Sequence, residues 1–156
     1  MIPLCSCDTS IFIQAWRRHY RPKTFPVVWR KIEELIDAGV LIACDEVLTE
    51  LHRKDDDVYD WAKKWRKMFV PIDELLQRET KTILAAHRRL VDSKKGRSGT
   101  DPWVIGLAKL RGAAVLTEEK PSNKIEVPRI PDVCHVLGIE CHTLADFFEK
   151  NGIRFS

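Results

Sequence analysis

Short apolar segments alternate with longer segments of helical periodicity along most of the chain. The apolar segments lack the strict alternation of a half-exposed strand, which predicts short strands buried on both faces. Between them, apolar residues recur at helical spacing and the ends carry capping residues, prolines or glycines. The predicted strands are 2–7, 40–43, 113–116 and 139–142. The predicted helices are 11–19, 26–38, 45–54, 56–68, 74–91, 102–111, 130–137 and one from 144 onward.

Strands that are separated by helices favour a parallel sheet with helices on both faces, which is a three-layer α/β/α fold with a short central parallel sheet. The chain has 156 residues and shows no internal repeat or linker, so we expect a single domain over 1–156.

The segment 100–119, TDPWVIGLAKLRGAAVLTEE, organises this pattern. Asp101 is predicted as a helix N-cap and Pro102 as the first helical residue, where a missing N–H costs nothing. Gly112 ends the helix, and the next strand stops at Glu118 and Glu119. One acid therefore begins a buried helix, and others follow the next strand.

Further acids stand at corresponding places. Asp8 follows the first strand, and Glu50 lies on the helix after the second strand. Because the carboxyl ends of parallel strands meet at one edge, Asp8, Glu50, Asp101 and Glu118 or Glu119 are expected to converge there. Crowded carboxylates repel unless a cation lies among them, and hard oxygen ligands favour Mg²⁺ or Mn²⁺. Such a site suits the hydrolysis of phosphodiester bonds.

Each acid also has a simpler interpretation when it is taken alone. Asp8 and Asp101 suit helix caps, Glu50 suits a solvated helix face, and Glu118 and Glu119 suit a loop. Their joint placement at one sheet edge favours the shared metal site.

Four motifs, in order, resemble the PIN-domain nucleases and in particular the small prokaryotic toxins of VapC type, or a prokaryotic PIN-like branch near them. They are Asp8-Thr9-Ser10 after the first strand, VLTEL around Glu50, TDPWVIGLA around Asp101, and VLTEE. The resemblance covers nearly the whole chain. It implies a PIN-like fold and a Mg²⁺- or Mn²⁺-dependent endoribonuclease, which is often dimeric and often paired with a cognate antitoxin protein. It carries over Asp8, Glu50 and Asp101 as catalytic and metal-binding residues, with Glu119, or its neighbour Glu118, as the fourth acid.

Other functions fit the same pattern. A non-catalytic PIN scaffold that binds RNA or a protein, and a nuclease for structured DNA, are the alternatives to the ribonuclease. Zinc is disfavoured, because Cys134-His135 and Cys141-His142 lack Cys-x-x-Cys spacing.

Composition and charge bear on the nucleic-acid surface and on the cellular location. The net charge is only +3, so a nucleic-acid surface has to be local. The loop residues Lys94, Lys95 and Arg97, just before Asp101, are the predicted contacts to a phosphate backbone. Five cysteines without a regular framework, short apolar runs and no signal-peptide pattern predict a cytoplasmic protein without a membrane partner.

Overall fold

The structure is a computed structural model, and it describes residues 2–91, 99–124 and 126–156. The described chain alternates short strands with helices. The strands are β1 Cys5–Cys7, β2 Leu41–Cys44, β3 Phe69–Val70, β4 Ala114–Leu116 and β5 Cys141–His142. Helices α1 Thr9–Gln14 and α2 Pro26–Asp37 lie between β1 and β2, and α3 Asp45–Lys54 and α4 Asp56–Lys64 lie between β2 and β3. Helices α5 Glu74–Ala86 and α6 Asp101–Arg111 precede β4, α7 Ile130–Leu137 precedes β5, and α8 Leu144–Lys150 follows it. A π-helical turn, Ala15–His19, extends α1, and 3-10 turns occupy Arg66–Met68 and Arg88–Leu90.

The five strands of the described residues are all parallel, in the order β3-β2-β1-β4-β5. The central strand β1 pairs with β2 through Cys5 and Leu41 and with β4 through Cys7 and Leu116. Every residue of β1, β2 and β4 is buried, as expected of strands covered on both faces. The predicted α/β/α fold with a short parallel sheet is therefore confirmed.

Helices α5 and α6 cover one face of the sheet. Ser6 of β1 points to that face and donates a hydrogen bond to the carbonyl of Val104 (2.8 Å). Ile42 and Cys44 of β2 pack there against Leu76 of α5 and Leu107 of α6. Helices α1 and α2 contribute to the larger core, in which the rings of Trp16, Trp29 and Trp61 contact one another.

Helices α5 and α6 approach each other closely at Gly106. A Cβ atom at this position would lie 2.5 Å from Oγ1 of Thr80, so the crossing requires a residue without a side chain. The close crossing brings α6 into register over the sheet, and the register sets the position of its first residue, Asp101.

Strand β3 is absent from the sequence prediction, which extends a helix as far as Met68. Phe69 and Val70 instead pair with Ala43 and Cys44 at the edge of the sheet. A strand of two residues has no measurable periodicity, so only the tertiary pairing reveals it.

Two helix boundaries also differ from prediction. Helix α5 ends at Ala86 rather than at 91, because His87 leaves helical geometry (φ −133°) and Leu90 turns into the core. Asp101 is the first residue of α6, and Thr100 rather than Asp101 is its N-cap. No helix in the described ranges is long and apolar enough to cross a membrane.

Candidate active site

Asp8 lies at the carboxyl end of β1, at the centre of the sheet, and is buried. Its side chain does not cap α1. Instead, Oδ2 accepts hydrogen bonds from Oγ of Ser10 (2.7 Å) and Oγ1 of Thr117 (2.8 Å). Burial raises the pKa of Asp8, the two hydroxyl groups lower it, and the negative charge of Glu50 raises it further, with a net increase. Asp8 is thus held in a fixed orientation beside other acids.

The two hydroxyl groups that orient Asp8 also fix the backbone after β4. Oγ of Ser10 accepts from the N–H of Glu118 (2.9 Å), and Oγ1 of Thr117 accepts from the N–H of Glu119 (3.1 Å). One hydrogen-bonded network therefore joins the ends of β1 and β4. From the sequence, Ser10 is predicted as a helix cap, and Thr117 suits either a turn or the orientation of a carboxylate. In the structure both hydroxyl groups orient Asp8.

Glu50 is a buried residue of α3, with 2% of its surface exposed, and it is not on a solvated helix face. Its Oε2 accepts a hydrogen bond from Oγ1 of Thr100 (3.1 Å). Its Oε1 lies 3.7 Å from Nζ of Lys54, one helical turn further along α3. Spacing of four residues on one helix is a signal for this pair that the sequence analysis does not use.

Asp101 is the point at which the acids meet. It is 5% exposed, and burial together with the negative charges of Asp8, Glu119 and Glu50 raises its pKa to about 9. Lys54 is the cation that acts in the opposite direction. Four carboxyl groups therefore lie near one another at the carboxyl edge of the sheet.

The structure separates the roles of Glu118 and Glu119. Oε2 of Glu118 accepts from the N–H of Leu144 (3.1 Å) at the start of α8. Oε2 of Glu119 accepts from the N–H of Ile130 (3.3 Å) at the start of α7, while its charge acts on Asp101. Glu119 is therefore the member of the pair that lies with the other acids.

The chemistry of the group suits a hard divalent cation. Its donors are carboxylate oxygens, which Mg²⁺ and Mn²⁺ prefer, and a cation would offset the repulsion that raises the pKa of Asp101. Within the described ranges, however, no three acidic, His or Cys side chains are grouped closely enough to coordinate an ion without adjustment. The residues from which a metal at this edge would take its ligands are Asp8, Glu50, Asp101 and Glu119.

In the part of the chain that the structure describes, Cys134, His135, Cys141 and His142 do not come together as a group that could hold a metal ion. The thiol groups of Cys134 and Cys141 contact each other. His135 is exposed, while Nε2 of His142 lies 3.4 Å from Oε2 of Glu140. The predicted phosphate contacts Lys94, Lys95 and Arg97 lie outside the described residues.

A protein-family model described as "Domain of unknown function (DUF4411)" matches residues 6–155. The chain belongs to the DUF4411 family. A search of curated proteins finds no match.

The DUF4411 chain is similar to a chain of VapBC2 from Rickettsia felis, whose crystal structure was solved with a DNA fragment from its promoter. The TM-score is 0.54 and the sequence identity is 14%, over 90% of this chain and 98% of that chain. At this identity the likeness concerns the fold alone. It shows a PIN-like fold, and the expected resemblance to VapC-type PIN proteins is confirmed.

Proposed function

We propose that the DUF4411 protein is a metal-dependent endoribonuclease that hydrolyses RNA phosphodiester bonds at the acidic cluster of Asp8, Glu50, Asp101 and Glu119. The observation that carries the proposal is the convergence of buried Asp8, Glu50 and Asp101 with Glu119 at the carboxyl edge of the parallel sheet, and the raised pKa of Asp101 is consistent with it. Buried carboxylates that repel one another lower the stability of the fold unless a bound ligand offsets the repulsion. Carboxyl groups with shifted pKa values in a crevice are frequent at catalytic sites. The PIN-like fold adds support by analogy.

Each residue has a role that follows from its contacts. When bound, Mg²⁺ or Mn²⁺ would activate a water molecule and neutralise charge on the phosphate. Ser10 and Thr117 hold the Asp8 carboxylate in one orientation. Thr100 donates to Oε2 of Glu50, and Oε1 lies beside Lys54; Glu50 is assigned either as a metal ligand or as the residue that positions the attacking water.

Cleavage of a labelled single-stranded RNA in Mn²⁺ tests the proposal. We expect wild type to cleave, EDTA to abolish cleavage, and Asp8→Asn and Asp101→Asn to lower the rate at least about a hundredfold. Asp60→Asn is the matched control, since Asp60 pairs with Lys63 on the exposed surface of α4. Cleavage that survives EDTA or Asp8→Asn would contradict the proposal.

The same assay separates the alternatives. RNA binding without turnover in Mn²⁺ would favour a non-catalytic scaffold. Faster cleavage of flapped or structured DNA than of RNA would favour the DNA nuclease.

We further propose a toxin role with a cognate antitoxin as partner, by analogy with VapBC2. Growth arrest on expression of wild type, but not of Asp8→Asn, with rescue by a small adjacent reading frame, is the expected result. A homodimer is the proposed assembly, and light scattering after gel filtration would measure it. Growth that is unaffected by wild type would contradict the toxin role alone.

A further inference from the structure

An open groove of about 1070 Å³ lies between the end of α5 and helix α7. Its apolar surface comes from Ala86 at the end of α5 and from Val136 and Ile139 on the opposite side. Val136 is 69% exposed, more than any other large hydrophobic side chain in the described residues. The metal-site proposal makes no use of this groove.

Positive charge borders the groove on both sides. Arg88 and Arg89 stand on the 3-10 turn after α5, and Lys124 stands on the loop before α7. Neither Arg88 nor Lys124 forms an ion pair with another residue in the described part of the chain, and both are exposed. Arg88 and Lys124 are therefore available to an anionic ligand.

One acid, Asp132, also lines the groove, but its carboxylate is occupied by the protein itself. It accepts hydrogen bonds from the backbone N–H groups of Ser122 (2.9 Å), Asn123 (3.1 Å) and Arg129 (2.8 Å). The hydroxyl of Ser122 adds a fourth hydrogen bond (3.1 Å). Asp132 thus shapes the loop wall and stays ionised, so one negative charge stands in the groove against the positive charges of Arg88, Arg89 and Lys124.

The groove adjoins the acidic cluster. The loop wall begins at Pro121, two residues after Glu119, and α7 begins at Ile130, whose N–H donates to Glu119. Cys141 lines the inner end of the groove, and the charges of Asp8 and Glu119 act on its thiol. A chain that lay in the groove would therefore lead to the carboxylates.

We propose that this groove binds the phosphate backbone of a single RNA strand and directs it to the acidic cluster, an inference that rests on the proposed ribonuclease function. Arg88 and Lys124 contact phosphates from opposite walls. Bases stack against the rings of His87 and His135 and against the apolar floor of the groove, which Ala86, Val136 and Ile139 form. An acidic peptide would satisfy the cations but has no bases to cover the floor.

Fluorescence anisotropy of a labelled single-stranded RNA of about 12 nucleotides, in EDTA, tests the groove without turnover. We expect the double variant Arg88→Glu/Lys124→Glu to bind about tenfold more weakly, and its slope of log affinity against log salt to fall by about 1. The matched control is Arg30→Glu/Lys64→Glu, which reverses two exposed charges on α2 and α4. It should bind within about twofold of wild type.

Equal affinities for the groove variant and wild type, or equal losses in groove and control variants, would overturn the inference. So would a labelled poly-glutamate peptide that binds wild type more tightly than RNA does. Thermal unfolding of both double variants checks that the fold is intact.

A second measurement does not depend on any variant. Zero-length photocrosslinking of 4-thiouridine RNA to wild type should give adducts on peptides from 85–89 and 121–136, and adducts confined to other segments would overturn the inference. RNA that binds in the groove but is never cleaved in Mn²⁺ would contradict the ribonuclease proposal and leave the groove intact. If wild type cleaves RNA but the groove variant binds RNA as tightly as wild type does, the groove inference is contradicted and the ribonuclease proposal stands.

Discussion

Asp101 is a buried carboxyl group whose surroundings oppose its ionisation. Burial and three neighbouring acids raise its pKa to about 9, whereas an unfolded aspartate has a pKa near 3.9. A raised folded-state pKa means that the stability linked to this group is complete below about pH 4. That stability is lost progressively as the pH rises towards 9. The ionisation of Asp101 therefore lowers the free energy of unfolding of the metal-free protein at neutral pH.

Replacing the charge should remove that cost. We expect Asp101→Asn to raise the free energy of unfolding of the metal-free protein by about 1–2 kcal/mol at pH 8 and by little at pH 4. Urea denaturation in EDTA at the two pH values measures the difference, with Asp60→Asn as an unaffected control. An Asp101→Asn protein less stable than wild type at pH 8 would contradict this account of the site.

Lys54 is the cation nearest to the acidic cluster in the described structure, 3.7 Å from Glu50. Its ammonium group competes with any divalent ion for the same negative charge. We expect Lys54→Met to bind Mn²⁺ about tenfold more tightly, because removing one unit charge a few ångströms from the ion lowers the repulsion. Calorimetric titration measures the affinity, and Lys63→Met, at an exposed pair with Asp60, is the control. Weaker Mn²⁺ binding by Lys54→Met would show that Lys54 supports the metal site instead.

At the scale of elements, the loop between β4 and α7 is held by one side chain. Although partial burial acts to raise it, hydrogen bonds from the backbone N–H groups of Ser122, Arg129 and Asn123 keep the pKa of Asp132 below its ordinary value. The same loop carries Glu119 at its start and Lys124 on the groove wall. The backbone next to Lys124 therefore depends on Asp132, whereas Glu119 is held by Thr117 and Ile130.

Loss of this carboxylate should loosen the loop. We expect Asp132→Ala to be cut by trypsin after Lys124 at least about fivefold faster than wild type, because the cleavage rate follows the population of open loop. Asp132→Asn, which keeps one acceptor oxygen, should lie between the two. Because the folded-state pKa of Asp132 is lowered, its contribution to loop stability is complete above the ordinary aspartate pKa and is lost as the pH falls through the folded-state pKa. Cleavage of the wild-type loop should therefore also rise below about pH 4, and an acid-stable protease would measure this rise. Unchanged cleavage after Lys124 in Asp132→Ala would contradict the role of Asp132.

For the whole molecule, a metal ion bound at the acidic cluster would link metal binding to stability. Asp8, Glu50, Asp101 and Glu119 come from four separate segments, so a bound ion would connect β1, α3, α6 and the end of β4. An ion that binds only the folded state adds about 2.7 kcal/mol at a hundredfold excess over its Kd.

The thermal transition should report this linkage. Saturating Mn²⁺ is expected to raise the Tm of wild type by about 5–10 °C, and EDTA should reverse the shift. Asp8→Asn should show little of the increase, whereas Asp60→Asn should show all of it. An equal increase in wild type and Asp8→Asn would mean that Mn²⁺ binds elsewhere.

The sequence by itself determines the fold class and the candidate acids of this protein. Fully buried strands and amphipathic helices differ in periodicity, and periodicity is a local property that survives without tertiary information. The ends of those elements then indicate which acids share an edge. For this reason Asp8, Glu50 and Asp101 are named before any contact is known, and the structure brings their charges together.

Only the tertiary structure decides the features that depend on non-local contacts. Strand β3 exists because Phe69 and Val70 reach the edge of β2, and α5 stops early because Leu90 is buried in the core. Glu118 and Glu119 are adjacent and chemically identical, and only their partners at α8 and α7 separate them. The groove joins residues about 40 positions apart, a proximity that no local pattern encodes.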